Sequence, residues 1–233
     1  MKLNKKASRS IAIALVGVSM ITPIVNTSYA MENSNSNILE INKEDLKIKT
    51  IEDTDEKKVV EVMEGEKIST STFNKKDNTL KLEIKENGKI IQDSYINLNN
   101  DNNIQNYIEP RATRAQESVR CIYSKLRYSI NMKSWTITNS KGSVKKRPET
   151  VSHKDYLYRF RDAVKASRRS ENLAEASMGA AKIAAIYGIV TAATGVGAVV
   201  SVVTAAGGSL GAAYNLWDSV IEKREADRYF AIL

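Results

Sequence analysis

Hydrophobic and polar positions follow several different rhythms along this chain. From Lys67 the pattern moves towards period two, and Leu80-Lys81-Leu82-Glu83-Ile84 alternates cleanly, as a strand with one buried face does. Asn87-Gly88 follows, then Ile90 and Ile91. Asn-Gly between alternating runs is a strong hairpin signal, because both residues tolerate positive φ. The pattern predicts a small β-hairpin module at about 66–97. Residues 31–65 carry no such rhythm. Asn33, Asn35 and Asn37 alternate with serines, and the acidic run Glu52-Asp53-Thr54-Asp55-Glu56 follows. So polar a stretch offers little to bury against the entropy of ordering. Asn99-Asn100-Asp101-Asn102-Asn103 reads as a polar linker that ends near Glu109-Pro110-Arg111.

Between 115 and 137 two readings stand side by side. Val119, Ile122, Leu126 and Ile130 recur at helical spacing, whereas Trp135-Thr136-Ile137-Thr138 favours a strand. Asn139-Ser140-Lys141-Gly142 is a turn, followed by the basic Lys145-Lys146-Arg147-Pro148. A helix is expected from Ser152 as N-cap, with Asp155 in its first turn. Along it Tyr156, Leu157, Phe160 and Val164 form an apolar stripe, while Arg159, Arg161, Lys165, Arg168 and Arg169 occupy the remaining surface. That is a basic amphipathic helix, and Arg159, Arg161, Lys165, Arg168 and Arg169, with Tyr156 and Phe160, are expected to bind the membrane surface.

A second helix is expected from about Ser170 to Ile189. In it Ala180, Ala184, Gly188 and Ala192 recur every four residues, a face smooth enough for close backbone approach. Thr194-Gly195-Val196-Gly197 forms a turn, and a third helix runs from Ala198 to Glu225 with a break at Gly207-Gly208. From Ile183 to Trp217 no residue is charged. One straight helix of that length would measure about 50 Å against a ~30 Å hydrocarbon core, so the segment is expected to fold back on itself. The arms are 177–194 and 196–217. The residues expected to enter a membrane are Gly188, Gly195, Gly197, Val199, Gly207, Gly211 and Trp217, with Gly207-x-x-x-Gly211 as a packing motif. Lys182 lies near the start of its arm, where its amine can snorkel to the interface.

The fold class expected is α+β: a small β-hairpin region, then a mainly α-helical basic portion with the apolar Gly/Ala-rich hairpin. Three segments follow: a secretory signal at 1–30, an acidic region with the β-hairpin at 31–110, and a basic effector portion at 111–233. Lys2, Lys5, Lys6 and Arg9 precede the apolar Ile11–Ile21, and Ser28-Tyr29-Ala30 is a small-x-small site with cleavage after Ala30. The protein is therefore expected to be secreted.

Charge divides the rest. Residues 31–110 hold 11 Lys against 17 Asp+Glu, a net −6, and residues 111–233 hold 20 Lys+Arg against 10 Asp+Glu, a net +10. The basic portion calls for an anionic partner, and the acidic segment is expected to restrain it electrostatically. The partner is an anionic lipid membrane or cell-wall polymer. Nucleic acid is not expected, since no reading module is visible. In the membrane, a homo-oligomer is expected. Arg111 and Arg114, beside Pro110, are candidate processing sites.

Catalysis finds little support. His153 is the only histidine, so a His-rich metal site is excluded and no metal or other cofactor is expected. Nothing around Cys121 matches a nucleophile signature. As the lone cysteine it is either buried or paired between two chains.

An export signal, an acidic leader region, the Pro110-Arg111-Ala112 junction and a basic C-terminal portion with a Gly/Ala-rich hairpin resemble large secreted Gram-positive bacteriocin precursors. The resemblance is one of layout across the chain. It implies an antibacterial protein whose pro-segment restrains a membrane-active part, and carries over no functional residue. The alternative is a non-catalytic secreted module that binds anionic cell-wall or cell-surface polymer.

Overall fold

Strands β1 (Leu46–Asp53), β2 (Lys57–Glu64), β3 (Lys67–Asn74), β4 (Thr79–Glu86) and β5 (Lys89–Asn97) form an antiparallel meander in chain order. They are followed by β6 (Gln116–Arg120), β7 (Arg127–Asn131), β8 (Ser134–Thr138) and β9 (Val144–Pro148), a second antiparallel sheet, also in chain order. Helices α1 (Lys154–Met178), α2 (Ala180–Ala192), α3 (Val196–Ala205) and α4 (Leu210–Ile232) complete an α+β fold. This computed structural model describes residues 46–99 and 116–233. The signal with Ala30, the polar run up to residue 45, and the junction with Arg111 and Arg114 lie outside them.

The hairpin expected at 66–97 is larger. The Asn87-Gly88 turn forms between β4 and β5, with φ of 51° and 75°. The acidic stretch before it is not structureless, because β1 and β2 extend the sheet back to Leu46. Val60 and Val62 supply the buried face that makes this worthwhile, in register with Ser71 and Ser69. Leu80, Leu82 and Ile84 continue the same face on β4. The opposite face carries ion pairs, Lys81 with Asp93 at 3.3 Å and Lys85 with Glu83 at 2.8 Å, beside the exposed Met63, Ile90 and Tyr95. Period two is obeyed across β2, β3 and β4, while register shifts interrupt it at Thr50/Glu52 of β1 and opposite Ile84/Lys85 in β5.

Residues 116–148 form β6 to β9 and the turns between them, so the helical spacing of Val119, Ile122, Leu126 and Ile130 is not used. From Lys154 onwards the basic portion is α-helical, as expected. Tyr128, Trp135 and Ile137 face inwards, in register pairs Tyr128↔Ile137 and Ile130↔Trp135. They pack on Leu157, Phe160 and Val164 of α1 and on Ala226, Phe230 and Leu233 of α4. Lys145 donates to the Phe230 carbonyl at 2.7 Å, and Arg147 to that of Leu233. Two cations therefore sit at the negative end of the α4 dipole.

Helix boundaries shift in three places. Lys154 begins α1 after His153, whose side chain makes no capping bond; Ser152 instead bonds Thr150. No break occurs at Ser170, and the basic helix continues to Met178. It ends at Gly179, whose φ of 86° a residue with a Cβ rarely adopts. Helix α3 begins at Val196, two residues earlier than expected. The break at Gly207-Gly208 forms as expected, with Ser209 capping α4 through the Ala212 N–H at 3.1 Å. The apolar stretch is therefore cut into three helices. Among the described residues, no helix is long and apolar enough to cross a membrane.

Candidate functional site

Helix α3 is the most apolar element, and it is enclosed. Val196, Val199, Val200, Val202 and Val203 are fully buried between the first sheet and α4. At about 1.5 kcal/mol or more each, these five side chains gain on the order of 7 kcal/mol from burial, comparable to the whole net stability of many domains. Two polar contacts register the helix on the sheet. Ser71 Oγ lies 2.8 Å from Ser201 Oγ in a buried pair, and Ser201 donates to the Ala198 carbonyl, which leaves Ser71 to donate to Ser201. The Glu64 carboxylate accepts from the Gly197 N–H at 2.9 Å. Gly195 and Gly197 leave room for it, since a Cβ on Gly195 would collide with the Glu64 carboxylate.

Residues 46–99 hold 10 Lys and 11 Asp+Glu, so the sheet itself is almost neutral. It packs on α3 through Val, Leu and Ser, and among the described residues Glu64 makes the charged contact between them.

Of the residues expected to insert, Val199 and Gly197 are thus under the sheet. Trp217 is buried beneath Arg224, whose guanidinium lies 5.3 Å from the ring, and its Nε1 has no hydrogen-bond partner. Gly207 has a φ of 84° at the α3–α4 break, and Gly211 is exposed in the first turn of α4. Gly188 is exposed, with nothing within 4 Å of a Cβ placed there. The small-residue stripe of α2 therefore lies at the surface. Lys182 donates to the Ala206 carbonyl at the end of α3.

The basic residues of α1 divide into two groups. Arg161 pairs with Asp162 at 2.8 Å and covers the Tyr158 ring, while Arg159 is exposed beside Tyr229. Phe160 is fully buried against Phe230 and Tyr156 is half-exposed, so they do not share a surface. Lys165, Arg168 and Arg169 come together instead. With Asn172 and Leu173 of α1 and Val119 of β6 they line an open groove of about 330 Å³. Lys165 reaches Glu117 at 2.6 Å, which with Tyr128 holds the Glu117 carboxyl below its ordinary range. The groove joins three cations to the exposed Leu173, a combination suited to an anionic headgroup above an apolar surface.

Beneath the groove, Glu171 is fully buried and fastens the loop after β6. Its carboxylate accepts from the backbone N–H groups of Ile122 (2.7 Å), Ser124 (2.8 Å) and Tyr123 (3.3 Å). Burial raises its pKa against the opposing effect of these donors. Cys121 is buried beside it, its Sγ 3.3 Å from the Val164 carbonyl, and burial pushes its thiol up to about 12. The buried alternative therefore holds, and a Cys121–Cys121 link has no access in this fold. Among the described residues no group of three or more His, Cys, Asp and Glu could hold a metal ion.

Sequence reasoning missed Glu64, Ser71, Glu171 and Leu173. Glu64 and Gly197 stand 133 residues apart, and no local pattern links them. Glu171 was readable only as one more acid in a charged helix. Comparison with protein-family models, with curated proteins and with solved structures finds no match to this chain.

Proposed function

We propose that this chain is a secreted, non-enzymatic antibacterial protein of bacteriocin type that acts on anionic bacterial membranes and is held latent by its first sheet. The observation that carries this reading is the burial of α3 beneath β2 and β3. The chain between β5 and β6 includes Arg111 and Arg114. Cleavage there removes the covalent tie between the sheet and the helices. Loss of the sheet then exposes the apolar face of α3. Lipid tails offer that face about the same environment as the sheet did, so transfer costs little in hydrophobic terms. The groove of Lys165, Arg168 and Arg169 docks anionic headgroups, each cation contributing roughly 1 kcal/mol near the surface.

Insertion demands refolding. Helix α2 is about 20 Å long and α3 about 15 Å, both short of the ~30 Å core. Joining α3 to the start of α4 across Gly207-Gly208 restores the 196–217 arm. Inserted copies pack as a homo-oligomer through the Ala180, Ala184 and Gly188 stripe.

The test is dye release from anionic vesicles by the chain from residue 31 onwards, before and after limited cleavage at Arg111 or Arg114. Leakage that appears on cleavage is the expected result. An intact and a cleaved protein that both leave vesicles sealed, yet bind an immobilised anionic polymer, would establish the surface-binding alternative instead.

A further inference from the structure

We propose that the groove of Lys165, Arg168 and Arg169 is a site for a single lipid, which it recognises by a terminal phosphate on the headgroup. This rests on the membrane reading of the groove and deepens it: diffuse attraction to negative charge is replaced by a discrete phosphate subsite. Lys165, Arg168, Arg169, Asn172 and Leu173 are spaced three and four apart along α1, so they share one face of the helix. Val119 of β6 completes the lining.

The three cations are not equivalent. Lys165 is engaged by Glu117 at 2.6 Å. Arg168 is turned towards Glu171, yet its Nη1 stays 4.0 Å from Glu171 Oε2 and, although buried, has no hydrogen-bond partner. Both Glu171 oxygens already accept from the Ile122, Tyr123 and Ser124 N–H groups. The carboxylate therefore positions the guanidinium without saturating it, and the Arg168 side chain remains 31% exposed in the groove. Arg169 is exposed and forms no ion pair with a described residue. Two neighbouring guanidinium groups thus lie in one groove with donors to spare.

Guanidinium forks match carboxylate and phosphate alike. Phosphate is the better fit here. A carboxylate offers two oxygens, enough for one fork, and Glu117 already places one in the groove beside Lys165. A phosphomonoester presents three terminal oxygens and more charge, so it can bridge both arginines and the exposed Asn172 amide at once. The exposed Leu173 and Val119 then decide what carries the phosphate. They give an apolar wall beside the donors, which the first carbons of a lipid would cover and a free phosphate ion would leave bare.

The experiment titrates the full chain by calorimetry with dihexanoyl phosphatidic acid, kept monomeric below its micelle concentration. Saturation at one lipid per chain is expected, with inorganic phosphate, hexanoate and dihexanoyl phosphatidylcholine each weaker by about tenfold or more. Arg169→Gln should lose about tenfold in lipid affinity, and Arg168→Lys about as much, because lysine keeps the charge but not the fork. Leu173→Ser should weaken the lipid and leave inorganic phosphate unchanged. Lys133→Gln/Lys141→Gln, which removes two exposed cations outside the groove, should bind as the parent does. Thermal melts of all variants should match the parent. Inorganic phosphate as tight as the lipid overturns the proposal. So do equal losses in groove and control variants, which would reduce the site to net charge, and binding without saturation. No vesicle enters this titration, so its outcome is separate from leakage. Saturable lipid binding by a protein that leaves vesicles sealed would uphold the site and overturn only the permeabilising function.

Discussion

Glu64 on strand β2 accepts a 2.9 Å hydrogen bond from the backbone N–H of Gly197, in the first turn of α3. A carboxylate there satisfies an otherwise unpaired donor and complements the positive end of the helix dipole. It also ties the first sheet to the most apolar helix at the one point where their contact is charged. Glu64→Ala should lower unfolding stability by about 1 kcal/mol in denaturant melts. Gly195→Ala should cost a similar amount by pushing the carboxylate off the helix. Both variants should release dye from vesicles at lower protease concentrations than the parent. Parental stability in both would show that the contact does not hold the sheet.

Gly188 and Val199 separate soluble folding from action in a membrane. Val199 is fully buried between sheet and helices, so Val199→Asp should unfold the protein rather than leave a folded, non-leaking form. Gly188→Leu meets open space and should keep the parental melting curve within about 0.5 kcal/mol. In the membrane it places a bulky side chain on the small-residue stripe, and leakage should fall at least tenfold. Full leakage by the folded Gly188→Leu protein would remove α2 packing from the proposed mechanism.

Glu171 gathers three backbone donors into a buried carboxylate. Glu171→Ala leaves the Ile122, Tyr123 and Ser124 N–H groups without it and should cost about 3 kcal/mol in urea unfolding. Glu171→Gln retains one acceptor oxygen and should cost roughly half as much. Equal losses would assign the effect to packing rather than hydrogen bonding.

Glu222 on α4 predicts a pH dependence. Burial, with Asp218 and Glu225 nearby, raises its carboxyl to about 7. A raised folded pKa means that its stabilising effect is complete below the unfolded value of about 4.3 and is lost as pH rises through about 7. Stability should therefore decline across that interval by roughly 1–2 kcal/mol from this group. Glu222→Gln should abolish that part of the decline and raise the melting temperature at pH 8. Identical pH profiles for parent and variant would mean that Glu222 titrates normally.

Local pattern was enough for the parts of this protein that obey a short-range rule. Leu80-Lys81-Leu82-Glu83-Ile84 alternates because one sheet face is dry, Asn87-Gly88 turns because both residues accept positive φ, and Gly207-Gly208 breaks a helix for a related reason. The α+β class, the basic helix and the apolar Ile183–Trp217 stretch were legible in the same way. What an apolar segment is buried against is not a local property, since Ala and Val gain alike from lipid, helix or sheet. Only the tertiary structure decided that α3 lies under β2 and β3, and that Ser71 meets Ser201 across 130 residues. Contacts at that separation leave no spacing in the sequence. The same holds for the outer face of the second sheet, where Arg120 and Arg127 are set opposite each other by strand register and not by their positions along the chain.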